Sequence, residues 1–316
     1  MAYVEIIKRN KKEYYYVTKN IRISNNKWKK VRSYLGDKKP NKKDLSNATK
    51  DIESKIKELG LDKNKSPHRY LNEIDAELLQ DLKESYKSWL DSTPESLKKR
   101  TNENFMIRFT YNTNAIEGNK LTLRQTALIL KDKVIPSGVT AGDYNEAING
   151  RECLEYIKEY KKGFSKSLLL KINEILTKNT DVTYGGRIRF FPVEIQGSNH
   201  KPPGEKEVLN HVNNMMKWFS KNKNSLHPFE LALILHHKLA WIHPFEDGNG
   251  RTARTVMNFI LRKKGFPMFF IPFDKREEYY SALEEADKGD YSKYVSMMLR
   301  LVVDQVKSYG HKKEKK

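Results

Sequence analysis

Residues 243–254 read His-Pro-Phe-Glu-Asp-Gly-Asn-Gly-Arg-Thr-Ala-Arg, and this stretch is the strongest signal in the sequence. The apolar periodicity of one helix ends near Trp241 and that of a second begins near Asn249, which predicts a helix–loop–helix unit. Gly248 and Gly250 can turn backbone N–H groups inward without a Cβ clash. Those donors, together with the positive end of the second helix dipole, predict an anion-binding site.

Charged side chains surround this loop in a pattern that suits a polyphosphate. Arg251 and Arg254 are spaced i,i+3, so they share one helix face, and each guanidinium offers a planar fork of donors. Asp247 is placed to hold a Mg²⁺ ion that bridges phosphate oxygens. His243 lies on the upstream side of the loop and is the candidate general base, since an imidazole titrates near working pH.

A similar tetrapeptide, His-Pro-Phe-Glu at 227–230, is not followed by glycines. An apolar run comes next, so this copy predicts a helix start with His227 as its cap and no anion site. His236 and His237 fall in the middle of the same predicted helix. Packed or surface positions are the ordinary places for such residues, and neither is a catalytic candidate.

A second group of residues, Thr-Asn-Ala-Ile-Glu-Gly-Asn at 113–119, lies at the predicted end of another helix. Gly118 would terminate that helix, which leaves Glu117 near the negative end of the helix dipole. A carboxylate is poorly matched to that end. The sequence therefore predicts that Glu117 has an arginine partner elsewhere in the fold.

Helical periodicity runs through most of the chain from about residue 42, which indicates a mainly α fold. The candidate helices span 43–59, 69–91, 94–114, 122–133, 140–161, 165–178, 204–222, 228–241, 249–264, 275–287 and 291–308. The exception is Gly186–Pro203, where Arg187–Ile195 alternates and predicts a β-hairpin.

The first 36 residues alternate with period two between short polar breaks, which predicts a small basic antiparallel β meander. We expect residues 37–100 to hold a linker and N-terminal helices. Residues 101–308 would form the catalytic domain, with the helix near 101–118 at its start. The lysine-rich residues 309–316 are expected to be a disordered tail.

Composition narrows the class of protein further. The net charge is +20, and residues 1–43 hold 14 Lys or Arg against three acids, which is compatible with nucleic-acid contact. Cys153 is the only cysteine; it rules out an internal disulfide and is expected in the core. No apolar run has the length of a membrane span and no signal peptide is recognisable, so we expect a cytoplasmic protein with no membrane contact.

The motifs together resemble those of the Fic-domain family, over roughly residues 100–305. The family signature of His-Pro-Phe, an acid, Gly-Asn-Gly-Arg and a second Arg three residues later is complete at 243–254. The family's flap is a hairpin that ends in Gly…His-x-Pro-Pro, which Gly186–Pro203 matches. Thr113, Glu117 and Gly118 match its inhibitory motif, in the subgroup in which that motif precedes the catalytic domain.

The resemblance implies a Fic-type helical bundle and a protein adenylyltransferase that uses ATP and Mg²⁺. His243 would take the proton of a target Ser, Thr or Tyr hydroxyl while Asp247 positions the metal ion. The phosphate-binding residues would be Gly248, Asn249, Gly250, Arg251 and, at the γ end, Arg254.

The same resemblance assigns roles outside the loop. Flap residues Val193, Glu194 and Ile195 would pair with the target peptide as an added strand. Tyr279 and Tyr280 would help to line the adenine pocket, although ordinary helix packing explains them equally well. Asp287 stands where relatives can have an Asn that contacts adenine, which leaves the base preference open.

Self-inhibition follows from the same resemblance: Glu117 would pair with Arg254 and take away the partner of the γ-phosphate. Transfer of UMP, GMP or phosphocholine, and removal of AMP with Glu117 holding a water, remain alternatives. Gly250 argues against the kinase-like Doc variant, which has Lys near this position. A nucleic-acid-binding regulator acting through residues 1–43 is an alternative of another class, and self-modification and a homodimer are compatible with the motifs.

Overall fold

The computed structural model describes residues 3–9, 12–24, 27–58, 69–195 and 200–310. The chain divides into two compact units, residues 1–67 and residues 68–316. Gly197 and the tail 311–316 lie outside the described residues. Within the described part of the chain, no helix combines the length and the apolar content that crossing a bilayer requires.

The first unit is a three-stranded antiparallel sheet in the order β1–β2–β3 with one helix, which confirms the predicted meander. Its elements are β1 (Tyr3–Arg9), β2 (Lys12–Ser24), β3 (Lys27–Gly36) and α1 (Lys42–Glu58). Apolar residues of β2, β3 and α1 form its core, namely Val17, Ile21, Val31, Ala48, Ile52 and Ile56. Because strand side chains alternate between faces, only one face of this sheet joins that core.

The second unit is helical, and the predicted helices are found with small shifts at their ends. Its helices are α2 (Glu73–Ser92), α3 (Glu95–Ile116), α4 (Leu123–Ala127), α5 (Ala141–Glu159), α6 (Lys166–Leu176), α7 (Glu205–Asn222), α8 (Pro228–Ile242), α9 (Asn249–Lys263), α10 (Arg276–Asp287) and α11 (Ser292–Gly310). A short 3₁₀ turn, Phe273–Lys275, precedes α10. Because α11 continues to Gly310, the predicted disordered tail does not begin at residue 309.

The helix predicted over 122–133 is interrupted. A π-helical turn, Leu128–Asp132, follows α4 directly, and the N–H of Lys133 donates to the carbonyl of Leu128. Lys133 has a φ of 55°, a left-handed conformation that ends the helix. Apolar periodicity does not distinguish this widened turn from the α-helix that it continues, because both place residues on nearly the same face.

Helix α8 is buried and packs against α7, α9 and α10. Its residues Leu231–Leu235 are all buried, as expected for a helix that is apolar on every side. His227 caps the helix as predicted, since its Nδ1 accepts the N–H of Phe229. Cys153 is also buried as predicted, and burial raises the pKa of its thiol.

Glu230, the last residue of the second His-Pro-Phe-Glu copy, has a structural use that the sequence did not reveal. Its side chain is fully buried, and its carboxylate accepts the backbone N–H groups of Arg69, Tyr70 and Leu71. The distances from Arg69 and Leu71 are 2.8 Å. A buried carboxylate with several N–H donors is well solvated by the protein, so Glu230 joins the start of the unit to α8.

The predicted β-hairpin at Gly186–Pro203 is wrong over its described part, because residues 187–195 form no strand. The segment is instead held to the loop that follows α8, where the N–H of Arg189 donates to the carbonyl of Pro244 at 2.9 Å. Strands need a ladder of partners, and here a side chain and loop carbonyls satisfy the backbone instead. The rings of Tyr184, Phe190 and Phe191 pack against one another beside this segment.

Candidate active site

His243 ends helix α8 in a left-handed conformation, with φ 49° and ψ 59°. This turn directs the chain away from the helix and into the glycine loop. Its Nδ1 lies 3.4 Å from the carbonyl oxygen of Ala240. Because a carbonyl only accepts, Nδ1 carries the proton in this contact and Nε2 keeps a free electron pair. Burial lowers the pKa of this imidazole, which keeps it neutral and able to accept a proton.

Gly248 begins helix α9 with a φ of 72°. A Cβ atom there would lie 3.0 Å from Cγ2 of Thr177 and 3.2 Å from the side-chain nitrogen of Asn173, so both the conformation and the space require glycine. Glycine offers no side chain to cap the helix. No side chain therefore caps α9 at Gly248, and the first N–H groups of the helix face the loop.

The loop is held in place by two buried amides. Asn249 donates to the carbonyl of Phe245 at 2.9 Å and accepts its N–H at 2.8 Å, so its side chain fastens the loop. Asn173, on α6, donates to the carbonyl of Asp247 at 2.9 Å and accepts the N–H of Gly186 at 2.9 Å. Sequence reasoning missed Asn173. An amide among the apolar residues of a helix core face was the available signal.

Arg251 is buried and engaged with two carboxylates. Its Nη1 lies 2.6 Å from Oε1 of Glu146 and its Nη2 lies 2.9 Å from Oδ2 of Asp247. Glu146, on α5, was not singled out from the sequence. The guanidinium thus braces Asp247 and ties α9 to α5.

The residues that match the family's inhibitory motif contact Arg254. Nη2 of Arg254 donates to Oε1 of Glu117 at 2.7 Å, and the arginine partner predicted for Glu117 is therefore Arg254. Thr113 accepts from Nε of Arg254 through its hydroxyl at 2.7 Å and from Nη2 through its carbonyl at 2.8 Å. Gly118 turns the chain with a φ of 98° immediately after Glu117.

Glu117 also lies directly against the first turn of α9. A Cβ atom built on Gly250 would be 2.3 Å from Oε1 of Glu117 and 2.9 Å from Nη1 of Arg254. The second glycine of the loop therefore leaves room for a carboxylate at the anion-binding end of the helix. This is the position that the sequence assigns to a phosphate group.

Arg189 connects the segment 187–203 to the loop, and sequence reasoning missed it. The side chain is buried and donates to the carbonyls of His243 at 2.8 Å, Phe191 at 2.9 Å and Pro203 at 2.6 Å. Burial lowers the pKa of this guanidinium. The three predicted target-binding residues, Val193–Ile195, lie on this segment and are partly or fully exposed.

The two tyrosines predicted near adenine differ in exposure. Tyr279 is 2% exposed, and its hydroxyl lies 3.0 Å from Nε2 of His236 inside the core. Tyr280 is 37% exposed, and its hydroxyl donates to the carbonyl of Ile116 at 3.3 Å. Packing therefore accounts for Tyr279, whereas Tyr280 keeps an open ring face beside the end of α3.

Asp287 contacts a histidine of the core. Its Oδ1 lies 2.7 Å from Nε2 of His237, and Nδ1 of that histidine lies 2.7 Å from the hydroxyl of Tyr291. A carboxylate accepts, so Nε2 of His237 is the donor and Nδ1 accepts from Tyr291. Of the two predicted placements, packed or at the surface, both mid-helix histidines, His236 and His237, have the packed one: they are buried and hydrogen-bonded.

The residues that the structure describes include no cluster of three or more His, Cys, Asp or Glu that could hold a metal ion by itself. The side chain of Asp247 is 55% exposed at the mouth of the loop. One carboxylate combined with substrate phosphates is a common set of Mg²⁺ ligands, so the residues present fit a metal ion that arrives with a nucleotide.

Comparison with known proteins agrees with this geometry. A sequence profile described as Fic/DOC family matches residues 163–261, which include the whole loop. The chain is 32% identical over 245 residues to "Protein adenylyltransferase Fic" of Nematostella vectensis, covering 76% of this chain and 57% of that protein. It is 32% identical over 232 residues to "Protein adenylyltransferase fic-1" of Caenorhabditis elegans, covering 70% and 44%.

Solved structures of Fic-domain proteins resemble this one. A Fic-domain-containing signaling protein from Bacteroides thetaiotaomicron superposes with a TM-score of 0.67 at 27% identity, covering 75% of this chain and 99% of that one. Fic-1 from C. elegans superposes with a TM-score of 0.65 at 26% identity, covering 85% and 76%. The chain is thus a helical protein in which His243, the turn at Gly248 and the N-terminus of α9 lie next to one another along one loop. The chain belongs to the Fic/DOC family. It spans about half the length of the curated relatives that it matches.

Proposed function

We propose that this protein is a protein adenylyltransferase that moves AMP from ATP to a Ser, Thr or Tyr hydroxyl, and that it inhibits itself. One observation carries the proposal: the carboxylate of Glu117 is held on Arg254 over Gly250, at the N-terminus of α9. A site that accommodates a carboxylate in this way is built for an anion. The names of the curated relatives, which are protein adenylyltransferases, support the same activity.

The nucleotide phosphates would lie on the open N–H groups of Asn249 and Gly250, at the turn that Gly248 forms. Asn249 contributes its backbone there, because its side chain fastens the loop to Phe245. Arg254 would hold the γ-phosphate. Arg251 would act on the phosphates mainly through Asp247, whose carboxylate it positions.

His243 would act on the target. Its Nε2 takes the proton of the target hydroxyl while the hydroxyl oxygen forms a bond to the α-phosphorus of ATP. The bond between that phosphorus and the bridging oxygen breaks, and pyrophosphate leaves with the electron pair. AMP remains on the target as a phosphodiester. The tautomer set by Ala240 and the low pKa of His243 both favour the neutral imidazole that this step needs.

Asp247 would hold Mg²⁺ together with phosphate oxygens. When bound, the ion would offset the negative charge of the phosphates. Arg251 contributes to this arrangement by fixing one oxygen of Asp247, while the other accepts the N–H of Gly248. Oxygens that are already oriented lose less conformational entropy on binding a ligand.

The segment around Val193–Ile195 would present backbone groups to the target peptide. It lacks strand partners of its own, so an added peptide strand would supply them. Arg189 fastens this segment to the carbonyl of His243, which sets the distance between peptide and base. A side-chain hydroxyl of the bound peptide would in this way reach Nε2 of His243.

Self-inhibition would result from competition for Arg254. While Glu117 accepts from Nη2 of Arg254, the γ-phosphate lacks its partner and ATP binds in a pose that does not react. Glu117→Gly removes the competing carboxylate. A hydrogen bond between charged groups contributes roughly 1.5–3 kcal/mol, so we expect the labelling rate to rise roughly 10- to 150-fold.

The test uses ATP labelled on the α-phosphate, Mg²⁺ and a cell extract, with wild-type protein, Glu117→Gly and Glu117→Gly/His243→Ala in parallel. We expect covalent label with Glu117→Gly, roughly 10- to 150-fold less with the wild type, and none with Glu117→Gly/His243→Ala. A parallel reaction uses ATP labelled on the γ-phosphate, and covalent label from that donor but not from the α-labelled one would show phosphoryl transfer and overturn the proposal. Loss of AMP from previously labelled protein in the presence of wild type, with no transfer by Glu117→Gly, would identify AMP removal as the activity.

A further inference from the structure

The sheet of the first unit has two faces, and they differ in chemistry. Residues paired across neighbouring antiparallel strands point to the same face. Val4 pairs with Val17 and Val17 with Ser33, whose hydroxyl donates to Asp51 of α1 at 2.6 Å. These residues therefore define the face that α1 covers, which also contains the core residues Ile21 and Val31.

The opposite face carries aromatic and basic side chains from all three strands. Its paired positions include Glu5 with Tyr16, Tyr16 with Tyr34, and Arg9 with Lys12. We name this set the aromatic face: Tyr3, Glu5, Arg9, Lys12, Tyr14, Tyr16, Lys30, Arg32 and Tyr34.

Three tyrosines of the aromatic face lie side by side. The ring centroids of Tyr16 and Tyr34 are 5.1 Å apart, and those of Tyr14 and Tyr34 are 6.4 Å apart. Tyr34 remains 55% exposed and Tyr3 43% exposed. A cluster that only filled a small core would bury its largest rings, so the exposure of Tyr34 has no packing explanation.

The charges on this face are strongly unbalanced. Arg9, Lys12, Lys30 and Arg32 are all exposed, against the single acid Glu5. Glu5 accepts from Lys30 at 2.9 Å and from Arg32 at 2.8 Å, and these contacts lower the pKa of its carboxyl to about 2. One carboxylate shared by two cations orients both of them but cancels only one positive charge.

We propose that the aromatic face binds single-stranded nucleic acid. Exposed rings on an open sheet offer stacking surfaces to bases, and flanking Lys and Arg side chains follow the phosphates. Duplex DNA fits less well, because its bases are already stacked and present no free ring faces. The proposal is independent of AMP transfer, since none of its residues belongs to the candidate active site.

The experiment measures fluorescence anisotropy of the full chain with labelled oligonucleotides of about 12 nucleotides, a length within the range of single-strand binding sites. Uridine and thymidine oligomers and a duplex are compared across salt concentrations. Two variants test charge with a matched control: Lys30→Gln on the aromatic face, and Lys29→Gln, exposed on the other face. Lys30→Gln should reduce the slope of log affinity against log salt by about 0.7, and Lys29→Gln should leave it unchanged.

Two further variants test stacking. Tyr34→Leu should weaken binding about 5- to 150-fold, the equivalent of 1–3 kcal/mol for one stacked base, whereas Tyr34→Phe should bind like wild type. The comparison with Phe keeps the proposal testable if the Leu variant unfolds, as circular dichroism would reveal. Equal effects of Lys29→Gln and Lys30→Gln, tighter binding of the duplex, or no binding at low salt would each overturn the proposal.

Discussion

A left-handed backbone places the imidazole of His243, and few residues other than glycine, Asn, Asp and His adopt that conformation readily. The turn lets Nδ1 donate to Ala240, one turn back, and so points Nε2 away from α8. Burial then favours the neutral ring. The direction, the tautomer and the charge that the proposed general base needs thus arise from one residue and its helix end.

The pH dependence of labelling follows from this arrangement. Burial holds the pKa of His243 below its usual value of about 6.5, and only the neutral ring accepts a proton. Activity of Glu117→Gly should therefore be constant from neutral pH down to about 6.5, and should fall tenfold per pH unit only below the lowered pKa. Initial rates of label transfer between pH 4.5 and pH 8 check this, and an acid limb centred above about 6.5 would contradict it.

Gly250 leads to a prediction about stability. An added Cβ would lie 2.3 Å from Oε1 of Glu117, so Gly250→Ala should destabilise the wild type by about 1–3 kcal/mol. In Glu117→Gly that clash is absent, and only the flexible end of Arg254 has to move. The same substitution should then cost much less, since Ala favours a helix over Gly by roughly 0.5–1 kcal/mol. Urea unfolding of the wild type, the two single variants and the double variant gives the free-energy cost of Gly250→Ala in each background. Equal costs in the two backgrounds would mean that Glu117 does not lie against Gly250.

At the scale of elements, the segment 187–203 is ordered in its described part without forming a strand. Its attachment depends on Arg189, whose guanidinium donates to the carbonyl of His243 and to two carbonyls of the segment itself, those of Phe191 and Pro203. A buried cation is costly unless such acceptors surround it. The element is therefore held mainly by one side chain, and the backbone of Val193–Ile195 takes no part in these contacts.

Replacing this arginine should release the segment. In the Glu117→Gly background, Arg189→Met should reduce label transfer at least about tenfold, because small displacements of a bound target cost large factors in rate. Arg187→Met is the matched control, since Arg187 lies two positions away and is exposed. Limited proteolysis should cut within 190–203 faster in Arg189→Met only. Equal behaviour of the two variants would mean that Arg189 does not hold the segment.

At the scale of the whole molecule, the described residues form three separate hydrophobic cores. The sheet and α1 share one small core, and the helices from α2 onward have cores of their own with no residue in common with it. Stability of roughly 0.05–0.15 kcal/mol per residue gives the first unit about 3–10 kcal/mol. Each unit is therefore expected to have its own unfolding free energy.

Hydrogen exchange can measure this. Ile52 is fully buried in the first unit, so Ile52→Ala should lower the opening free energy of amides in 12–24 and 31–58 by about 2–5 kcal/mol. Protection of α8 and α9 should not change. Exchange followed by mass spectrometry at several urea concentrations gives both values. A parallel loss of protection in α8 would show that the two units unfold together.

The sequence alone determined the features that depend on local order. Apolar periodicity located the helices, and the meander followed from alternation between short breaks, because both signals lie within one element. The loop at 243–254 and the need of Glu117 for an arginine were also readable, since a glycine turn and a helix end dictate their own chemistry.

Only the tertiary structure decided which distant side chains complete the site. Glu146 meets Arg251 across 105 positions, and no local pattern announces such a pair. The segment at 187–195 alternates like a strand, yet Arg189 and the loop carbonyls satisfy its backbone, so no ladder forms. Tyr279 likewise is buried by its neighbours in space. In each case, packing between elements sets the burial and the hydrogen-bond partners of a residue. A single sequence contains no local signal for that packing.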